Sequence, residues 1–115
     1  MLSRKALAVA SLSTLVCSVA PGAFAGDGFK ASEFLTYPAQ SQKSYITSSA
    51  MMAGLIASQN NRAQAVCIDD WVAQQSGQGY GAVVEAMRKL PDYHPSAVIV
   101  AVLDKACGSF KYLKP

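Results

Sequence analysis

"PDYHPSAVIVAVLDKACG", residues 91–108, decides whether this chain is helical or contains a sheet. Its β-branched, apolar centre fits a buried strand as well as a helix by periodicity alone. Pro95 stands where the first turn of a helix tolerates proline, and Gly108 stands where helices commonly end. Because the segment between them is longer than most strands, we predict a helix. The expected inner face comprises Ile99, Val102, Leu103 and Ala106, with Cys107 beside it.

The preceding segment, "YGAVVEAMRKL" (80–90), has the spacing of a second amphipathic helix. Arg88 and Lys89 fall in its last turn, where cations interact favourably with the helix dipole, and Pro91 ends it. The expected inner face comprises Tyr80, Val83, Val84, Met87 and Leu90.

"AQSQKSYITSSAMMAGLIASQNN" (39–61) predicts a long helix. Its expected buried face comprises Tyr45, Ser49, Met52 and Ile56, widened by Ile46 and Leu55. A line of small residues (Ser49, Ala53, Ala57) would let a second helix approach closely. Close backbone packing also explains Gly54, which weakens a helix by about 1 kcal/mol relative to alanine.

The remaining segments are shorter. "ASEFLTYP" (31–38) fits two helical turns with Phe34 and Leu35 pointing inward. "NNRAQAV" (60–66) has the composition of a loop. Asp69 is then expected to cap a short helix that passes through Trp71 and Val72 and ends near Gly77.

Residues 1–25 read as an export signal peptide. Arg4 and Lys5 supply the positive start, and "ALAVASLSTLVCSVA" (6–20) is apolar but too short to span a bilayer core as a helix. "AFA" (23–25) supplies the small residues that a signal peptidase recognises. We therefore expect a periplasmic or secreted protein.

Two alternatives to cleavage after Ala25 are lipidation at Cys17 and an uncleaved anchor. Val16, directly before Cys17, is too large for a lipobox. We therefore expect Cys17 to leave with the leader and residues 26–115 to form one domain.

Loss of Cys17 leaves Cys67 and Cys107 as the two thiols in an oxidising compartment, which predicts a disulfide between them. Such a bridge would stabilise the fold by about 4 kcal/mol in the chain-entropy model, which is useful to a small domain. Two separate buried thiols are the alternative. Taken together, these patterns predict an all-α fold, a small bundle of about four helices with one disulfide.

Charge excludes two classes of partner. The chain has 10 basic and 7 acidic side chains, so loss of Arg4 and Lys5 leaves a net charge of about +1. This balance gives no electrostatic footprint for nucleic acid or for an anionic membrane. After residue 25 no segment is apolar for long enough to span a bilayer.

The candidate catalytic residues all have plainer explanations. His94, the only histidine, fits a helix cap or a solvent-facing position, and the adjacent acids Asp69 and Asp70 fit helix-capping roles. One histidine and two distant cysteines lack metal-ligand spacing. "GQGYG" (77–81) lacks the flanking residues of a phosphate loop. We expect no catalytic residue, metal or cofactor, and no enzyme; Trp71, Tyr80 and His94 are the candidate interface residues.

Three segments, "YITSSAMMAGLIAS", "VCIDDW" and "VVEAMRKLPDYHPSAVIVAVLDKACG", together carry a resemblance. The chain resembles the Tai/Rap family of type VI secretion immunity proteins over about residues 42–108. The corresponding positions are Tyr45, Gly54, Cys67, Pro91, His94 and Cys107. Two departures are Lys105-Ala106, where the family usually has proline before the last cysteine, and the looser "QQSGQGYG".

The resemblance implies a periplasmic immunity protein that binds a peptidoglycan-cleaving amidase effector and plugs its cleft. It implies no catalysis, and it supplies scaffold positions rather than contact residues. The chain is also similar in size and plan to HdeA-type acid-stress chaperones, although 7 acids make a weak acid trigger. Another exported binding or structural module remains an alternative, and the small-residue line of residues 39–61 could equally serve a homodimer.

Overall fold

The computed structural model describes residues 28–112, so the predicted leader (1–25) and Cys17 lie outside the described residues. All regular elements between residues 28 and 112 are helices, which confirms the all-α prediction. They are α1 (Ala31–Phe34), α2 (Ala39–Ser58), α3 (Arg62–Ser76), α4 (Gly81–Lys89) and α5 (Pro95–Cys107). None of these helices is long and apolar enough to cross a bilayer.

Helix α5 confirms that the decisive segment is helical. The His94 side chain caps its start by accepting a hydrogen bond from the Ser96 amide, and Gly108 ends it with a positive φ of 102°. Ile99 and Leu103 are buried and Val102 is half-buried, as expected. The prediction for Ala106 is wrong, because the last turn of α5 is exposed apart from the half-buried Cys107. Buried Val98 widens the inner face instead.

Helix α4 follows its predicted face closely. Val83 and Met87 are buried and Val84 is half-buried, but the prediction for Leu90 is wrong, because this residue lies exposed just beyond the helix end. Tyr80 caps the start in the left-handed conformation (φ 55°), directly after Gly79 (φ 68°). Two successive left-handed residues turn the chain sharply out of α3, which places the Tyr80 ring in the core.

Helix α2 corrects the predicted buried face. Its buried residues are Ile46, Ala50, Ala53, Gly54 and Ala57. Tyr45 and Ser49 are half-buried, but Met52, Leu55 and Ile56 are exposed, contrary to the prediction. The small residues lie inward because α2 packs closely against α3: a Cβ added to Gly54 would stand 3.3 Å from Ile68 Cγ2. The role predicted for Gly54 is therefore confirmed.

Helix α3 starts earlier than predicted. Asn61 caps it by accepting a hydrogen bond from the Gln64 amide, so the predicted loop over 60–66 is mostly helix. Asp69 is not the cap, since it lies exposed within the helix. Asparagine favours both loops and N-caps, and here the capping role prevails. The helix ends at Ser76 with Gly77 as its C-cap, in agreement with the predicted end near Gly77.

Helix α1 makes one turn instead of the predicted two. Phe34 is buried and Leu35 is half-buried. The Ala31 amide donates a hydrogen bond to the Tyr93 carbonyl at 2.7 Å, which ties α1 to the loop between α4 and α5.

Cys67 and Cys107 form a disulfide, as predicted, with their Cα atoms 5.6 Å apart. The bond joins the body of α3 to the last residue of α5. Gln64, one turn earlier in α3, extends this connection. Its buried amide donates to the Gly108 and Ser109 carbonyls, and its oxygen accepts from the Tyr112 hydroxyl. The chain that follows α5 is therefore held against α3.

Candidate protein-binding surface

His94 is exposed and lies at the start of α5. Its Nδ1 accepts the hydrogen bond from the Ser96 amide at 3.1 Å, and its ring meets Phe29 edge-on with centroids 5.5 Å apart. An Nδ1 atom that accepts leaves the proton of the neutral ring on Nε2. The side chain thus fills the capping role that the sequence suggested.

Tyr80 and Trp71 pack against each other with ring centroids 5.5 Å apart. Tyr80 is fully buried, and its hydroxyl shares a 2.6 Å hydrogen bond with Thr47 Oγ1 of α2. It therefore links α2, α3 and α4 and has no exposed area to offer a partner. Trp71 is half-buried, so part of its ring is accessible.

Asp69 and Asp70 lie exposed on α3, away from any helix end. Among residues 28–112, no three His, Cys, Asp or Glu side chains come together in the manner of metal ligands. The acids of α3 and His94 lie on different elements of the bundle. The structure does not bring the sequence-predicted residues together into one site.

The most prominent exposed apolar surface lies on α2. Its side chains are Met51 (61% exposed), Met52 (58%), Leu55 (58%) and Ile56 (49%), and Val100 of α5 (44%) adjoins them. We call these five residues the α2 face. Large exposed apolar patches on a soluble protein mark binding surfaces more often than scattered single residues do.

Two grooves make the α2 face continuous with its neighbours. One runs between α2 and α3 and is lined by Ser48, Met51, Met52, Gly54, Leu55, Ser58, Ala65 and Asp69. The other runs between α2 and α5 and is lined by Ser48, Ser49, Met52, Ala53, Ile56, Ser96, Ile99 and Val100. Met52 borders both grooves. The four α2 side chains of the face thus form a ridge with an open groove on each side, and Val100 lies across the groove between α2 and α5.

Helix α2 is uncharged beyond Lys43, since no charged residue occurs between Lys43 and Arg62. Serines occupy the exposed side of the first half of α2, and the large apolar side chains occupy that of the second half. An apolar centre depleted of charge is typical of the core of a protein interface. The arrangement can bind a complementary protein surface.

Sequence reasoning missed the α2 face because it assigned Met52, Leu55 and Ile56 to the core. The signal was present in part in the predicted small-residue line, of which Ala53 and Ala57 are buried; Ala50 and Gly54 complete the buried stripe. Helix α2 carries one stripe of small residues and one stripe of large apolar residues, and either could face the core. The prediction buried the stripe with the larger side chains. The preference for burying large apolar residues was outweighed by close helix packing.

No family model matches this chain, and neither a curated protein nor a solved structure matches it. The α2 face is therefore the feature from which a function has to be inferred.

Proposed function

We propose that this protein is an exported, non-enzymatic binding protein of the immunity type, which docks its α2 face on a peptidoglycan amidase effector and occludes the effector's cleft. The observation that carries the proposal is the exposure of Met51, Met52, Leu55 and Ile56 on one ridge. If these residues served only to stabilise the fold, polar side chains would be better solvated at the same exposed positions.

The free energy gained by burying the α2 face is large enough to support binding to a protein. Burying a large aliphatic or methionine side chain contributes about 1.5–3 kcal/mol, so five side chains that are about half exposed would contribute on the order of 5 kcal/mol. Side chains of this kind form the centre of an interface, around which polar rim contacts exclude water. The serines of the first half of α2 are suited to that rim.

The scaffold holds the ridge in place before any partner arrives. The Cys67–Cys107 bond ties α3 to α5, and α2 packs on both helices. Tyr45 of α2 also shares a 2.8 Å hydrogen bond with Ser96 of α5. A rigid surface loses little conformational entropy on binding, which favours affinity.

The resemblance to the Tai/Rap family supports the immunity version of this proposal. The pattern positions have structural roles in this chain: Gly54 packs against Ile68, the two cysteines bond to each other, and His94 caps α5. Because the positions of the pattern belong to the scaffold, the residues of the α2 face can differ between proteins that bind different partners.

A direct test measures the release of peptide from peptidoglycan by a candidate amidase, with and without the oxidised protein. The expected result is inhibition by the wild type and its loss in Leu55→Lys, which places a charge in the centre of the ridge. Tyr93→Lys is the matched control, because Tyr93 and Leu55 are both 58% exposed and Tyr93 lies in the loop before α5. Equal inhibition by wild type and Leu55→Lys would rule out this face as the docking site.

A chaperone of the HdeA type is the second candidate, and the exposed Met51 and Met52 favour it. Methionine side chains adapt to varied partners because they are unbranched and polarisable. A chaperone would suppress the aggregation of unfolded clients in strong acid and bind a hydrophobic dye there. A protein that stays folded and inactive under those conditions is not such a chaperone.

A further inference from the structure

The charged residues that line the grooves beside the α2 face are acidic. The groove between α2 and α3 has Asp69 as its one charged lining residue, and the groove between α2 and α5 has none. A third groove, on the far side of Val100, is lined by Ser96, Ala97, Ala101 and Asp104. An acid therefore stands on each side of the apolar ridge.

Both acids are available to a partner. Asp69 and Asp104 are exposed, and the ion pairs formed among residues 28–112 involve other side chains. Their sign is also opposite to the net charge of about +1 that remains when Arg4 and Lys5 are left out, with 8 basic residues and 7 acids. The two acids are thus a local feature of this surface.

From this arrangement we propose that the α2 face receives a protein segment that is apolar in its middle and carries lysine or arginine at both edges. The apolar middle covers Met52, Leu55 and Ile56, while the cationic edges meet Asp69 on α3 and Asp104 on α5. This inference rests on the proposed function and adds the chemistry of the partner. An acidic segment would meet like charges at both edges, so the same acids reject it.

The acids contribute mainly to the rate and selectivity of binding. Exposed ion pairs add little affinity, whereas complementary charges at a rim accelerate association and exclude wrong partners. Their contribution falls with added salt, because the screening length shortens to about 3 Å at 1 M. Apolar contacts with the ridge persist in salt, so ionic strength separates the two contributions.

The test uses two synthetic helical peptides with the same leucine-rich middle, one flanked by lysines and the other by glutamates. We expect the oxidised protein to bind the lysine-flanked peptide about tenfold more tightly at low salt, measured by fluorescence anisotropy. The preference should shrink in Asp69→Asn/Asp104→Asn and in high salt. The matched control is Glu33→Gln/Asp92→Asn, which removes the same charge from exposed positions away from the ridge.

Three outcomes overturn the inference: equal binding of both peptides, no binding of either peptide, or an equal loss in the control variant. The variant Leu55→Lys shows whether the proposed charge of the partner is wrong or the docking surface itself is wrong. If both peptides bind equally and Leu55→Lys abolishes both, the ridge is a docking surface and the proposed charge of its partner is wrong. If Leu55→Lys leaves binding intact, the ridge is not the docking surface.

Discussion

Gly54 of α2 lies against Ile68 of α3 so closely that a Cβ on the glycine would stand 3.3 Å from Ile68 Cγ2. This contact orients α2, because the stripe of small residues that allows it must then point inward. The large side chains on the opposite side of α2 are exposed as a consequence. Packing against α3 thus creates the surface to which we assign binding.

The first prediction concerns this contact. Gly54→Val should destabilise the protein by about 2 kcal/mol, since extra methyl groups in a closely packed site force shifts of side chain or backbone. Gly54→Ala should be close to neutral, because a gain in helix propensity of about 1 kcal/mol offsets a mild crowding of Ile68. Urea unfolding measures both. Gly81→Val is the control, as nothing lies within 4 Å of that position, and a comparable loss there would contradict the packing explanation.

The disulfide provides the second prediction. Replacing Cys67 and Cys107 together by serine should lower the free energy of unfolding by about 4 kcal/mol, because the unfolded chain regains the freedom of a long loop. Thermal melting of the wild type with and without reductant is the matched measurement. An identical melt in all three samples would show that the bond does not stabilise the fold.

A pair of methionines gives the third prediction. Met87→Lys should prevent folding, since Met87 is fully buried and an unpaired buried charge costs several kcal/mol. Met52→Lys should fold normally, because that side chain is 58% exposed. Circular dichroism of the two purified variants tests this contrast. A folded Met87→Lys protein would contradict the placement of the α4 face in the core.

The fourth prediction uses methionine oxidation, which distinguishes exposed from buried methionines without mutation. Dilute hydrogen peroxide should convert Met51 and Met52 to sulfoxides well before Met87, which has no exposed area. Peptide mapping by mass spectrometry follows each site. Because the sulfoxide is polar, the oxidised protein should also lose binding through the α2 face. Similar rates at Met52 and Met87 would mean that α2 does not expose its methionines as described.

The fifth prediction concerns Gln64, whose buried amide holds residues 108–112. Gln64→Ala should destabilise the protein by about 1–3 kcal/mol, because three hydrogen bonds are lost and the Gly108 and Ser109 carbonyls lose their donor. It should also speed digestion of the C-terminal segment by carboxypeptidase while leaving the disulfide intact. The control is Gln74→Ala, an exposed glutamine of the same helix. Equal digestion of the two variants would contradict the anchoring role.

The sequence by itself determined the features that depend on a few neighbouring residues. Pro95 at the first turn, Gly108 at the end and the length between them predicted a helix over residues 95–107 despite their β-branched centre. The regular spacing of Val83 and Met87 identified the inner face of α4, where one stripe is apolar and the other is charged. The disulfide partners followed from counting cysteines within an expected oxidising compartment. Each of these inferences uses short-range chemistry or simple exclusion.

Only the tertiary structure decided which side of α2 faces the core. That helix carries two stripes that could be buried, one of small residues and one of large apolar residues, and no charge marks the outer side. The choice depends on how closely α3 can approach, which is a property of two helices together. The start of α3 at Asn61 was decided in the same way, because asparagine fits a loop and a cap equally well until the following turns pack. The apolar ridge therefore became visible only when the helices were assembled.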